Sequence, residues 1–187
     1  MYIGGGDGLG GGLVERMQSG DKTAMDEIIR LYYNDVYCFL CRKLPTFAQA
    51  QDMTQDVFMR LTLGIHRYQE RGKLRNYLLQ MALNACRDYY RRCPPDPLNV
   101  DDIADTLPGA PLPGEVYEAR EQGERVRAVL QSLPDFQKDV IILRFYHDLA
   151  FKDIARITGA NLSATKSRYK QGMDKLKRLL EEAVEDA

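Results

Sequence analysis

Ser163, Lys166, Ser167, Arg168 and Lys170, with Ala164 and Gln171, crowd into one short stretch of this 187-residue chain. Small hydroxyl side chains allow close approach and bond phosphate oxygens, and Lys and Arg pair with phosphates or guanine edges. Together they suit a helix lying in a DNA major groove. Two further groupings carry related chemistry. Lys73, Asn76, Gln80, Asn84, Arg87 and Arg91 recur at steps of three, four, four, three and four, one side of a helix, with Tyr68 and Arg71 just ahead. Amides, arginines and a tyrosine are the types that hold single-stranded nucleic acid, through phosphate pairing, base-edge hydrogen bonds and stacking. Asp52, Gln55 and Asp56 put two carboxylates and an amide beside Phe58, an aromatic ring able to anchor a basic protein surface. Each grouping also has a plainer reading as a solvated helix face.

The first grouping favours DNA because its basic run coincides with a turn and a core stripe. Phe151, Ile154 and Ala155 form one helical stripe, Gly159-Ala160-Asn161 breaks it, and Leu162, Tyr169, Met173, Leu176 and Leu180 restart it. Two short helices joined by a tight turn make a helix-turn-helix, with Ser163 the expected N-cap of the second. Further upstream, Asp21 is the expected N-cap of a helix whose stripe of Met25, Ile28, Ile29, Tyr32, Val36 and Leu40 ends near Leu44-Pro45. A helix from about Phe47 to Ile65 turns Ala50, Met53, Val57 and Leu61 inward, and residues 73–92 read as a mostly buried helix. The expected fold is therefore all-α.

Four segments follow from composition. Residues 1–12 are expected to be a disordered glycine-rich leader, 13–93 a first helical domain, 94–114 a flexible, acidic, Pro/Gly-rich linker, and 115–187 a second helical domain carrying the helix-turn-helix. The formal net charge of −1 hides an uneven distribution. Residues 67–92 hold seven basic side chains against two acids, 165–178 hold six against one, and 94–124 hold one against eight. Two basic patches flanking an acidic connector suit two separate contacts with one polyanion.

No apolar run approaches the roughly 20 residues of a membrane span, and the N-terminus lacks a charged-then-apolar signal, so no membrane insertion and a cytoplasmic location are expected. Cys38, Cys41, Cys86 and Cys93 match neither a zinc ribbon nor a zinc finger and read first as small apolar groups, with a metal or redox role the alternative left open by the sequence. His66 and His147 lack triad spacing, and no phosphate-cradling loop joins a strand to a helix. The expectation is a protein that is not an enzyme and needs no cofactor.

The ordered set of motifs resembles a bacterial RNA polymerase sigma factor of the extracytoplasmic-function (ECF) group. GDKTAMDEIIRLYYNDVYCFLCRKL, followed by AQDMTQDVF at 50–58, is similar to the family's polymerase-clamp segment. GKLRNYLLQMALNACRDYYRR is similar to its promoter-melting and −10 segment, and LPDFQKDVIILRFYHDLAFKDIARITGANLSATKSRYKQGMDKLKRLL to its −35-reading segment. Gln51, Tyr77, Ala150 and Gly172 depart from the family's usual glutamate, tryptophan, capping hydroxyl and alanine.

The resemblance implies roles. Asp52, Gln55, Asp56 and Phe58 would bind core RNA polymerase. Tyr68, Arg71 and Lys73 would belong to a loop that captures a flipped −10 base, with Asn76, Asn84, Arg87 and Arg91 on the adjacent strand. Ser163, Thr165, Lys166, Ser167, Arg168 and Lys170 would meet the −35 element of promoter DNA. It also implies control by an anti-sigma factor. Two alternatives stay open at this level: a helix-turn-helix regulator acting without polymerase, and a helical sigma-mimic or adaptor that never touches DNA.

Overall fold

The computed structural model describes residues 10–69, 73–92 and 128–185. Every regular element among them is helical, as expected for an all-α chain. The chain divides into two compact units, with the break between Asp102 and Ile103. That break falls inside the expected linker, 94–114, which lies outside the described residues, as do positions 1–9 of the leader, Cys93 and the expected opening of the second domain near Glu115.

In the first unit, α1 spans Gly10–Gln18, α2 Lys22–Lys43, α3 Phe47–Gly64 and α4 Leu74–Arg92, with a single 3₁₀ turn at Ile65–Arg67 after α3. The expected disorder of residues 1–12 is corrected at its end: helix α1 begins at Gly10, because Leu13, Val14 and Met17 bury one side of it and carry the preceding glycines along. Asp21 caps α2 as expected, accepting from the Thr23 N–H at 2.9 Å. Hydrogen bonds from Thr23 and then Arg16 hold the Asp21 carboxyl down at about 2. Arg16 also reaches Glu27, tying α1 to the first turns of α2.

Helix α2 stops at Leu44, whose extended backbone is the conformation favoured before Pro45. Thr46 and Gln49 then form a capping box that starts α3. Gln49 does more, since its Nε2 donates to the Tyr89 hydroxyl at 2.9 Å and so joins the start of α3 to the end of α4. Nearby, the Tyr90 hydroxyl donates to the Lys43 carbonyl. Ile28, Phe39, Leu40, Leu61, Ile65, Leu74, Leu78, Leu79 and Leu83 fill the core between these helices. Arg75, on the inward side of α4, is paired with Asp35 of α2.

In the second unit, residues 128–131 are helical, α5 spans Asp135–Ile141, a π-helical turn covers Ile142–Tyr146, α6 spans Phe151–Thr158 and α7 spans Leu162–Glu185. Leu130, Leu133 and Ile141 form a buried cluster against which Tyr146, Tyr169, Met173 and Leu176 pack. Gly172 lets α7 come close to α5: a Cβ there would stand 2.8 Å from Ile141 Cδ1 and 3.2 Å from Gln137 Cβ. The glycine that departs from the family's alanine is thus a contact point between two helices.

Candidate functional site

Helix α3 turns Asp52, Gln55 and Asp56 to solvent, but Phe58 does not join them. Phe58 is 4% exposed and stacks on Tyr33 of α2, ring centroids 6.2 Å apart at 11°. The expected aromatic anchor is corrected here: the apolar arc of α3 is wide enough to take both Val57 and Phe58, one helical step apart. Behind the stack, Tyr33 also lies against Tyr37, whose phenol is pushed up to about 12 by burial and by its hydrogen bond with Cys41. Met59 and Leu63, 58% and 81% exposed, follow Asp52 and Asp56 at helical steps and share their side of the helix. Sequence reasoning missed both, although the four–three–four spacing from Asp52 was legible.

The second surface runs along α4. Asn84, Arg87 and Arg91 are exposed, and Lys73 and Asn76 are half-buried. From Asn76 to Arg91 the stripe is roughly 22 Å long at the α-helical rise. Arg91 pairs with Asp88 at 3.0 Å on the surface. Tyr68 is half-buried and its ring meets that of Tyr77, centroids 4.6 Å apart at 33°. Arg71 lies outside the described residues.

The third surface is the helix-turn-helix. Gly159, at φ +73°, closes α6 in the left-handed conformation that glycine tolerates, and the Gly159 and Ala160 N–H groups both reach the Ala155 carbonyl. Ala150 stands at the N-cap of α6 without a side-chain cap. Phe151 and Tyr169 meet edge to face at 5.3 Å, fixing α6 against α7.

Ser163, Lys166, Ser167 and Lys170 are exposed on one end of α7. Three sequence expectations are corrected. The N-cap is Asn161 rather than Ser163, its Oδ1 accepting from the Ala164 N–H at 2.7 Å. Thr165 is fully buried at 0% exposure, its hydroxyl donating to the Asn161 carbonyl at 2.9 Å, because it sits one turn before Tyr169 on the inward arc. Leu162, placed in the core stripe by its spacing, is 44% exposed at the first position of the helix. Arg168 is half-buried, with its guanidinium 5.3 Å from the centre of the Phe136 ring.

Of the cysteines, Cys41 and Cys86 are buried and Cys38 is half-buried, and none of the three is in a disulfide. Among the described residues, no group of three His, Cys, Asp or Glu side chains is placed to hold a metal ion.

Residues 28–93 match the family model for Sigma-70 region 2, and residues 129–178 that for Sigma-70 region 4. The chain is 29% identical over 162 residues to the ECF RNA polymerase sigma factor SigM of Bacillus subtilis, covering 87% of this chain and 98% of that protein. It is 23% identical over 176 residues to SigW of the same organism, covering 89% of this chain and 94% of that one. Among solved structures, CnrH in complex with the cytosolic domain of CnrY is similar at TM-score 0.71 and 20% identity, covering 90% of this chain and 95% of that one. The sigma factor RpoE in complex with the anti-sigma factor NepR, from Bartonella quintana, is similar at TM-score 0.64 and 20% identity, covering 83% and 96%. Two family regions in the order of α2–α4 and then the helix-turn-helix, together spanning most of the chain, show that this protein belongs to the sigma-70 family of RNA polymerase sigma factors, within the extracytoplasmic-function group.

Proposed function

We propose that this protein binds core RNA polymerase and directs it to a promoter read at two places, upstream as duplex and downstream as a captured single strand. The first unit supplies Asp52, Gln55, Asp56, Met59 and Leu63 of α3 as the polymerase-binding face, an acidic end continuous with an apolar one. Along α4, Asn76, Asn84, Arg87 and Arg91 hold the −10 strand, with Tyr68 and Lys73 adjoining and Arg71, between them in sequence, contributing a further cation. In the second unit, Ser163, Lys166, Ser167 and Lys170 meet the −35 duplex, and Arg168 reaches it from its seat on Phe136. The observation that carries this reading is the pairing, in one chain, of an exposed amide-and-arginine stripe in the region 2 unit with an exposed hydroxyl-and-lysine helix end in the region 4 unit.

Each unit binds DNA weakly alone, and polymerase makes the two contacts act together by fixing their separation. The protein performs no bond-making step itself, since nucleotide addition belongs to the polymerase. It works in the cytoplasm, where its template lies, and no helix among the described residues is long and apolar enough to cross a membrane. An anti-sigma factor that covers these faces holds it inactive, a reading supported by the similar RpoE structure, which is itself a complex with an anti-sigma factor. Transcription in vitro by core polymerase plus the full chain, with start sites mapped, tests the proposal. Discrete new starts that weaken when Asp56 or Lys166 is replaced by Ala are expected; an unchanged transcript pattern with and without the chain overturns it.

A further inference from the structure

Gln18 ends α1, a helix that precedes the region 2 match at 28–93. Its side-chain amide donates to two main-chain carbonyls far along the chain, Ile65 O and Tyr68 O, each at 2.8 Å. Those carbonyls bracket the 3₁₀ turn at Ile65–Arg67, which is also closed by the Tyr68 N–H to Ile65 O bond at 3.1 Å. Both amide hydrogens of one side chain are therefore committed to the two ends of one turn. Beyond it Tyr68 becomes extended, at φ −75° and ψ 126°, and lays its ring on Tyr77 of α4. A pair of touching rings at the head of a polar, cationic helix stripe is a surface on which a nucleobase stacks.

We infer that Gln18 is a positioning residue for −10 base capture: by clamping Ile65 O and Tyr68 O it sets the exit direction of the chain that carries Tyr68 onto Tyr77. This rests on the function proposed above. The geometry explains why a glutamine is used. A carbonyl needs a donor, and only a side chain with two donors on one nitrogen serves two carbonyls from the same atom without adding charge beside the nucleic acid. Leu13, Val14 and Met17, buried on the same helix, hold α1 in place, so the clamp is braced by the core as well as by the exposed Arg16 pairs with Asp21 and Glu27.

The experiment uses holoenzyme assembled from core polymerase and the full chain, on a promoter taken from its own mapped start sites, with 2-aminopurine placed in turn at each −10 position of a pre-melted template. Gln18→Ala is expected to lower the fluorescence-detected capture about tenfold, the size set by losing two neutral hydrogen bonds. Affinity for core polymerase and for −35 duplex stays within about twofold, because neither clamped carbonyl belongs to the α3 face from Asp52 to Leu63 and the −35 surface is in the other unit. Gln18→Glu, which keeps the shape but loses the donors, is expected to lose at least as much. In a Tyr68→Ala background Gln18→Ala costs nothing further, since it acts through that ring. Capture by Gln18→Ala equal to wild type overturns the inference, as does a full additional loss in the Tyr68→Ala background. A uniform loss of core binding, −35 binding and capture together also overturns it, since that is a folding defect. Wild-type holoenzyme that captures no base on any template brings down the proposed function instead, a result distinguishable from the others because it appears before any substitution.

Discussion

The Arg75 guanidinium meets the Asp35 carboxylate in two parallel hydrogen bonds, Nε to Oδ2 at 2.8 Å and Nη2 to Oδ1 at 3.1 Å, joining α4 to the middle of α2. With side-chain exposures of 16% and 9%, the pair is largely removed from water. Asp35→Ala leaves a cation in the core and is expected to destabilise the first unit by about 3 kcal/mol, read from urea unfolding. Replacing both partners, Asp35→Leu with Arg75→Met, is expected to recover most of that loss. A double variant as unstable as the single one would contradict this account.

Phe58 and Leu63 separate folding from polymerase binding on one helix. Phe58→Ala opens a cavity beneath Tyr33 and is expected to cost about 3–5 kcal/mol of stability. Leu63→Ala, at an exposed position, leaves the melting temperature within experimental scatter and weakens core polymerase affinity about tenfold, as loss of an apolar anchor does. Equilibrium binding of each purified variant to core polymerase decides the matter, and equal affinity for Leu63→Ala and wild type would remove it from the interface.

At the start of α7 the two candidate caps are distinguishable. Asn161→Ala removes the acceptor of the Ala164 N–H and is expected to destabilise the second unit by about 1 kcal/mol. Ser163→Ala, which disrupts no cap, changes stability by less than about 0.5 kcal/mol and acts only on DNA affinity. Thermal unfolding followed by circular dichroism reads the first effect, and −35 duplex binding by the holoenzyme reads the second.

Gly172→Ala gains helix propensity of up to about 1 kcal/mol, and in an isolated helix that would stabilise. Here the added methyl meets Ile141 Cδ1 at 2.8 Å, and overpacking of this kind costs about 1–3 kcal/mol. A net loss is expected. Ile141→Val, which deletes the Cδ1 atom, is expected to make Gly172→Ala neutral or better. Denaturant midpoints of the four variants in the cycle measure this coupling directly.

Helical periodicity, turn residues and caps such as Asp21 were sufficient to read an all-α chain with a helix-turn-helix near its end, and the outward side of α3 at Asp52 and Asp56. Errors arose where two adjacent residues straddle the boundary between core and surface. Phe58 beside Met59, and Thr165 beside Lys166, differ by a rotation of about 100° that spacing does not resolve when the apolar arc is wide. Residue type favours Ser163 as a cap no more than Asn161, and the Gly159-Ala160-Asn161 turn signal hides the second of these in the loop. Arg75 with Asp35, and Gln18 with Ile65 and Tyr68, join residues too distant in sequence for any local pattern to announce them. Gly172 reads in the sequence only as a departure from the family's alanine, because its neighbour across the interface, Ile141, is visible only once the helices are packed.

The inward-turned hydroxyl of Thr165 has a practical corollary for anyone wishing to re-aim this protein at a different upstream sequence. Randomising that position would damage the helix rather than alter its taste in bases, because its methyl and oxygen are already engaged by the protein itself. A retargeting library belongs at Ser163, Lys166, Ser167 and Lys170, and Arg168 should be varied only together with Phe136, the ring it rests on.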